Sequence, residues 1–343
     1  MSEPRSTSAF FLVTILFAAA FVPILAPAAS ASSDSEEIEA YSAGGTVIGD
    51  IADFDPSEGR EYIMIEEEMP VVSAFSFLKN AWIEEGRPGA EEMVIAPQTS
   101  ARAAGRACNP HVVNDQLTVP TSGGSIDVYV AKTTNTVAFL VQSGRTLSST
   151  ALNNLASSWD STIYPTMTTY YGKDYSDGRG LAPPDVDNNC QVQIVIYDID
   201  GAYNIGGYFA PSLATAREAV YVDYADITLS WGKSILAHEM EHLLHNAQDP
   251  YENLWIDEGN ADVAIYLCFG ADSTLVSHLN QWTASSELSV RWWNQRFADY
   301  GAGFIFTMYL ADHLGGGPAV RQLVQDSATG GLSVENLALS PVS

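Results

Sequence analysis

His238-Glu239-Met240-Glu241-His242 sets two imidazoles four residues apart with carboxylates between them. On a helix, positions i and i+4 share a face, so both rings can reach one metal ion. The glutamate after the first ring is placed to take a proton from a nearby water. Downstream, Glu258 lies in Trp255-Ile256-Asp257-Glu258-Gly259-Asn260-Ala261-Asp262, which leads into an apolar run through Phe269. That run reads as a second helix returning Glu258 to the metal as third ligand. Asp262, one turn further on, can accept a hydrogen bond from a ligand histidine and fix its tautomer. Two histidines, one carboxylate and an open fourth position describe a catalytic zinc site rather than a structural one.

The flanking residues supply the helix. Ile235, Leu236, Leu243 and Leu244 surround the histidines, no proline interrupts 231–248, and Asp249-Pro250 provides the stop. The same five residues also match the inverted pattern His-x-x-Glu-His, with Glu241 as base. The nearby Glu258 segment favours Glu239, because inverted sites draw their third ligand from much further downstream. Glu241 is otherwise a polar group on the helix flank. His245 shares the face of His238 but lies about 10 Å along the axis, too far to share an ion. It reads either as a group behind the ligands or beside the substrate, or as an ordinary helix-face histidine. His111, His278 and His313 lack metal-spaced partners and read as structural.

The block Leu236-Ala237-His238-Glu239, His242-Leu243-Leu244-His245, Asp249-Pro250 and Trp255-Ile256-Asp257-Glu258-Gly259 resembles the secreted hyicolysin-type zinc metallopeptidases of the gluzincin group. Weaker echoes are Gly207-Tyr208-Phe209, Val220-Tyr221-Val222-Asp223, and Tyr300-Gly301 before Phe304-Ile305-Phe306. The resemblance extends from Ile126 to the C-terminus, with the central block as its specific part. It implies an α+β zincin-like fold, with a mixed upper sheet, an active-site helix and a helical lower subdomain. It also implies zinc-dependent hydrolysis of peptide bonds, with His238, His242 and Glu258 as ligands and Glu239 as base. Tyr300 is the oxyanion donor it favours, although Tyr221, Tyr224 and His245 are also candidates. Two rival readings are a secreted zincin-fold binding protein without catalysis and a zinc aminopeptidase with narrow substrates. The complete set of four core residues argues against the first. The lack of a Gly-Ala-Met-Glu-Asn-type segment argues against the second.

The chain start points to export. Arg5 precedes an apolar run from Ala9 to Ala29, broken by Pro23 and Pro27, and Ala29-Ser30-Ala31 offers a small-residue cleavage site. Residues 1–31 therefore read as a signal peptide, with an uncleaved anchor as the alternative. After cleavage no stable membrane association is expected. From Asp34 to Glu92 there are sixteen acidic residues against Arg60, Lys79 and Arg87. Residues 32–105 thus read as an acidic propeptide of a zymogen or as a flexible acidic leader, and 106–343 as the catalytic domain. A net charge of −27 excludes nucleic acid and anionic membrane as natural partners. Peptides and proteins are the expected substrates.

Three cysteines in an exported chain suggest one disulfide and one thiol. Cys268 sits in the apolar run after Glu258 and reads as a buried small hydrophobe, leaving Cys108 to pair with Cys190. Asp185-Val186-Asp187-Asn188-Asn189-Cys190-Gln191 sets Asp185, Asp187 and Asn189 at alternate positions, as a calcium loop does. The usual glycine is Cys190 and the twelfth position is Ile196, so an Asp/Asn-rich turn is the alternative. Alternating stretches at 125–131 and 135–142 predict a hairpin, and 191–197 and 219–224 predict further strands. If 219–224 is the sheet edge above the zinc helix, an extended substrate can pair with it. Helices are predicted over 146–171, 303–313 and 318–325.

Overall fold

The computed structural model describes residues 72–87, 108–175, 178–201 and 205–339. The expected signal peptide and most of the acidic leader lie outside these residues. In chain order the strands are β1 (Val72–Ser73), β2 (Gln116–Thr121), β3 (Gly124–Thr133), β4 (Val137–Gln142), β5 (Lys173–Tyr175), β6 (Gly180–Ala182), β7 (Val192–Tyr197), β8 (Ile205–Phe209) and β9 (Ala219–Asp223). The helices are α1 (Phe75–Glu84), α2 (Ser149–Ser158), α3 (Tyr164–Tyr171), α4 (Gly232–Asn246), α5 (Leu254–Phe269), α6 (Ser273–Thr283), α7 (Phe297–Leu314), α8 (Gly317–Gln325) and α9 (Gly331–Leu339). The architecture is α+β.

Seven strands form one mixed sheet in the order β1-β8-β9-β7-β4-β3-β2. The β9–β7 and β7–β4 pairs are parallel, whereas β8–β9, β4–β3 and β3–β2 are antiparallel. The central strands read as continuous apolar runs because both faces are covered. Val137, Phe139, Val141, Ile194 and Ile196 point into the core shared with the helices. Their alternates Ala138, Leu140 and Val195 join Val119, Val128 and Tyr221 in a second cluster on the opposite face. The 125–142 hairpin forms as the alternation predicts, and β2 adds a further strand beside it.

The sheet edge differs from the expectation. β9 is an interior strand, flanked by β7 and β8. The edge nearest α4 is β8, with the two residues of β1 added alongside it. The sequence Ala219-Val220-Tyr221-Val222-Asp223 is buried throughout, as an interior strand requires. β8 carries Gly206 and Gly207. A Cβ at Gly207 would lie 2.6 Å from Ile235 and 2.8 Å from Tyr221 O, so glycine is what lets α4 pack directly on this strand.

The helix read over 146–171 is continuous but changes winding. Ser148 caps it by accepting from Ala151 N (3.1 Å), and a π-segment at Trp159–Ile163 precedes Pro165 in the first turn of α3. α7 begins at Phe297, earlier than the apolar pattern indicates, and α6 and α9 extend the helical layer. Asp299 folds back on Arg296 to cap α7. Cys108 and Cys190 are disulfide-bonded, and Cys268 is half-buried rather than enclosed. Among the described residues, no helix is long and apolar enough to cross a membrane.

α5 and α7 approach through Gly259 and Gly303. A Cβ at Gly259 would meet Gly303 O and Thr307 Oγ1, each at 2.7 Å. Gly259→Ala is therefore expected to destabilise the fold by about 1–3 kcal/mol, as overpacking does. Urea unfolding measures this, and an unchanged midpoint would show that the two helices separate without cost.

Candidate metal centre

α4 presents His238 and His242 on one face, and the antiparallel neighbour α5 brings Glu258 opposite them. His238 Nε2 and His242 Nε2 lie 3.1 and 3.5 Å from Glu258 Oε2. One donor atom from each of the three residues lies within 4.8 Å of the others. The rings meet edge to face, with centroids 4.8 Å apart. Behind them, His238 Nδ1 is 3.2 Å from Asp262 Oδ1, and His242 Nδ1 is 3.3 Å from Asp257 Oδ1. Each ring is thus held at Nδ1 by a carboxylate, which turns Nε2 inward. His242 Nε2 and Glu239 Oε2 are buried without a hydrogen-bond partner. Two imidazole nitrogens, one of them unpartnered, and one carboxylate with donor atoms within 4.8 Å of one another suit a zinc ion.

Asp257 carries more of the site than its sequence context signals. Besides His242 it meets His245 Nδ1 (3.2 Å) and forms a buried ion pair with Lys79. Its one cue was its place beside Glu258 in a helix packed on α4. His245 is fully enclosed, with Nδ1 also 3.1 Å from Glu241 Oε1. Asp262 in turn meets His278 Nδ1 at 2.7 Å, so His278 is part of the support of the site. His313 is exposed near Tyr309 O on α7, and His111 sits beside Asn189, both remote from these groups.

The two candidate bases face opposite ways. Glu239 points to the sheet edge, its Cγ 3.4 Å from where a Cβ on Gly207 would be. Glu241 points back to His245 and to His242 Nδ1. Among the tyrosines, Tyr221 donates to Pro120 O (3.0 Å) on the far side of the sheet, and Tyr224 donates to Thr146 O (2.6 Å). Tyr300 is buried with its ring 6.1 Å from His238 and stacked on His278. Its hydroxyl lies near Ser76 without a formed hydrogen bond.

A part of the sequence expected to be leader covers this centre. Phe75 stacks on His242 with ring centroids 3.7 Å apart. Ser76 Oγ donates to Glu258 Oε1 and accepts from Trp293 Nε1 (3.2 Å). Ala74 N donates to Gly207 O (3.0 Å), which places the chain along β8. Composition alone gave no sign of these contacts.

Charge is arranged to match. Burial opposes the charged form of His238, but the hydrogen bonds its ring donates to Asp262 and Glu258 outweigh it and raise the pKa to about 9. His242 is raised well above the ordinary value in the same way, against burial and chiefly by Glu258. Burial likewise opposes His245, yet Asp257 and Glu241 bring it to about 10. Asp262 falls to about 2 because His278 and His238 outweigh its burial. Glu239 moves the other way, pushed up by burial even with both histidines nearby. Burial also keeps the Tyr300 hydroxyl protonated, with Glu258 and Asp262 adding to the effect.

The residues read as a calcium loop lie elsewhere, between β6 and β7. Asp185 and Asp187 come together there, but Asn189 turns its amide to donate to Asp187 Oδ2 (3.0 Å) while its Oδ1 accepts from Gln191 N (2.6 Å). Asn189 is thus a clamp within the loop and not a third oxygen ligand.

His238, His242 and Glu258 together form a buried histidine–carboxylate cluster that could hold a metal ion, beside the edge of a mixed sheet. The chain is similar to the neutral metalloprotease ShpI of Staphylococcus hyicus, with 26% identity over 217 residues, 53% of this chain and 47% of that protein. It therefore spans about half the length of this relative. No family model matches the chain.

Asp262→Asn should weaken zinc affinity about 10–100-fold, as loss of a carboxylate behind a ligand histidine does. Competition with a chromogenic chelator measures the change. An unaltered affinity would mean that Asp262 serves His278 alone.

Proposed function

We propose that this protein is a secreted zinc-dependent endopeptidase with a zincin-like catalytic domain, and that Glu239 is its general base. The observation that carries this reading is the convergence of His238, His242 and Glu258 on one point while Glu239 faces the sheet edge at Gly207. These three residues would hold the zinc. When bound, the ion supplies the Lewis acidity that makes water a nucleophile near neutral pH.

The chain's own groups do the rest. Glu239, its pKa raised by burial, accepts the proton of the attacking water and passes it to the leaving amine. Tyr300, held protonated, donates a hydrogen bond to the oxyanion. Asp262 and Asp257 keep the two imidazoles oriented. A peptide in extended form pairs with β8, the strand beside Glu239. Similarity to a neutral metalloprotease supports proteins as the substrate class. Export rests on residues 1–31, read as a signal peptide.

The same reading assigns residues 32–105 as a propeptide. β1 takes up the edge of β8, and Phe75 and Ser76 sit against His242 and Glu258, where a substrate would have to enter. The chain before maturation is therefore closed, and removal of this segment opens it.

Glu239→Ala should retain zinc and lose about 10²–10⁴-fold in kcat against casein. Glu241→Ala should keep most of its activity per folded molecule. Near-normal turnover by the 239 variant would overturn its role as base.

Phe75→Ala, assayed before any cleavage of the leader, should raise activity above that of the uncleaved wild type. A fall in activity accompanied by a lower Tm would instead make α1 a permanent part of the catalytic domain.

A further inference from the structure

A further acidic group gathers where the loop between β6 and β7 meets the start of β9. Asp185, Asp187 and Glu218 each offer a carboxylate oxygen, and these atoms lie within 4.8 Å of one another. Asp185 and Asp187 come from the loop that the sequence marks with alternating oxygen side chains. Glu218 comes from a separate segment, immediately before β9, and no spacing rule connects it to them.

Glu218 is the informative member. It is only 2% exposed. Its Oε2 accepts from Val186 N (2.7 Å), but its Oε1 is buried with no hydrogen-bond partner. It faces Asp187 as one carboxylate facing another, and such a pair is stable only with a proton or a cation between the oxygens. Burial and then Asp187 push the Glu218 carboxyl up to about 9. Two basic groups lie near the cluster. Arg217 donates from Nη1 to Gln193 Oε1 (2.8 Å), and Gln193 Nε2 donates to Asp187 Oδ2 (2.6 Å). Arg179 acts on Asp185 while donating to Pro183 O (3.1 Å).

We infer that Asp185, Asp187 and Glu218 form a calcium site, with Glu218 in the place that the sequence pattern assigns to Asn189. Calcium suits the ligand set, because all three donors are oxygens and no imidazole or thiolate is present. Asp185 is half-buried and Asp187 exposed, so water has access to complete the six to eight oxygens that calcium takes. The loop is already shaped for a tight wrap. Asn188 and Cys190 have φ of 68° and 64°, Cys190 N donates to Asp185 Oδ1 (3.2 Å), and the Cys108–Cys190 disulfide anchors the turn. An ion here ties this loop to the start of β9. The site is independent of the peptidase reading.

The test uses the full exported chain, stripped with a chelator and returned to buffer at pH 7.5. Thermal unfolding is followed with 0, 1 and 10 mM CaCl2, matched in ionic strength with NaCl, and calcium stoichiometry is measured by equilibrium dialysis. Wild type should bind one calcium at this site and gain about 4 °C in Tm at 10 mM, for an affinity in the range of extracellular modules. Glu218→Gln should lose that bound calcium and the Tm response. Without calcium its Tm should equal or exceed that of wild type, because a neutral amide replaces a carboxyl that must take up a proton to be buried. Asp187→Asn, which keeps the side-chain shape, should also lose the response. A wild type that neither binds calcium nor shifts in Tm would overturn the site and leave a shared proton between the carboxylates. A Glu218→Gln variant that responds as wild type does would overturn the assignment of Glu218.

Discussion

Burial of ionisable groups is the constraint on which the rest of this structure depends. Lys79, His238, Glu239, Glu241, His242, His245, Asp257, Glu258 and Asp262 all lie beneath the surface within two turns of the α4–α5 contact. An unpaired charge in such a place costs several kcal/mol, and a pair recovers the cost only with good geometry and further hydrogen bonds. The protein meets this by linking the groups into chains. Lys79 and His245 meet at Asp257, which also holds His242, while His278 and His238 meet at Asp262. Five carboxylates in this set need positive charge, which protonated histidines supply without metal. A divalent ion would take over that role and let the two ligand imidazoles be neutral. Metal and proton are therefore rivals for the same balance.

The sheet is the platform for this network. Its two apolar faces hold β7 and β9 rigidly, and β9 supports β8 at the edge. Gly207 then allows α4 to lie close to that side of the sheet, which puts Glu239 beside β8, the strand on which β1 pairs. On the other side, Gly259 and Gly303 let α7 come near enough to place Tyr300 over His278 and His238. The placement of Glu239 and Tyr300 is thus set by two close backbone approaches, each at a position where a methyl group would not fit. The same edge is where β1 docks, so access to the site and the position of the N-terminal segment are one question and not two.

Local pattern made much of this legible. The i, i+4 histidines, the apolar residues around them and the stop at Asp249-Pro250 describe α4 almost to its ends, because a helix writes its face into its own period. Glu258 and Asp262, a turn apart on the next helix, were readable for the same reason. The Cys108–Cys190 pair followed from elimination in a chain with three cysteines. Edge and interior were not readable in this way. The strand 219–224 was expected at the edge, but an interior parallel strand and a buried edge strand both appear as short apolar runs, and only hydrogen-bonding partners tell them apart.

What the sequence determined by itself is the chemistry within reach of one helix turn: the paired histidines, the adjacent carboxylates and the stop residues that hold them in phase. Those relations depend on bonded geometry over four or five residues and hardly on the rest of the chain. Only the tertiary structure decided which carboxylate faces the sheet, that Asp257 joins Lys79 to two histidines, that Ser76 reaches Glu258, and that Glu218 joins Asp185 and Asp187. Each of these contacts joins segments far apart in the chain. Their cost in burial and like charge is borne by neighbours that local spacing does not encode.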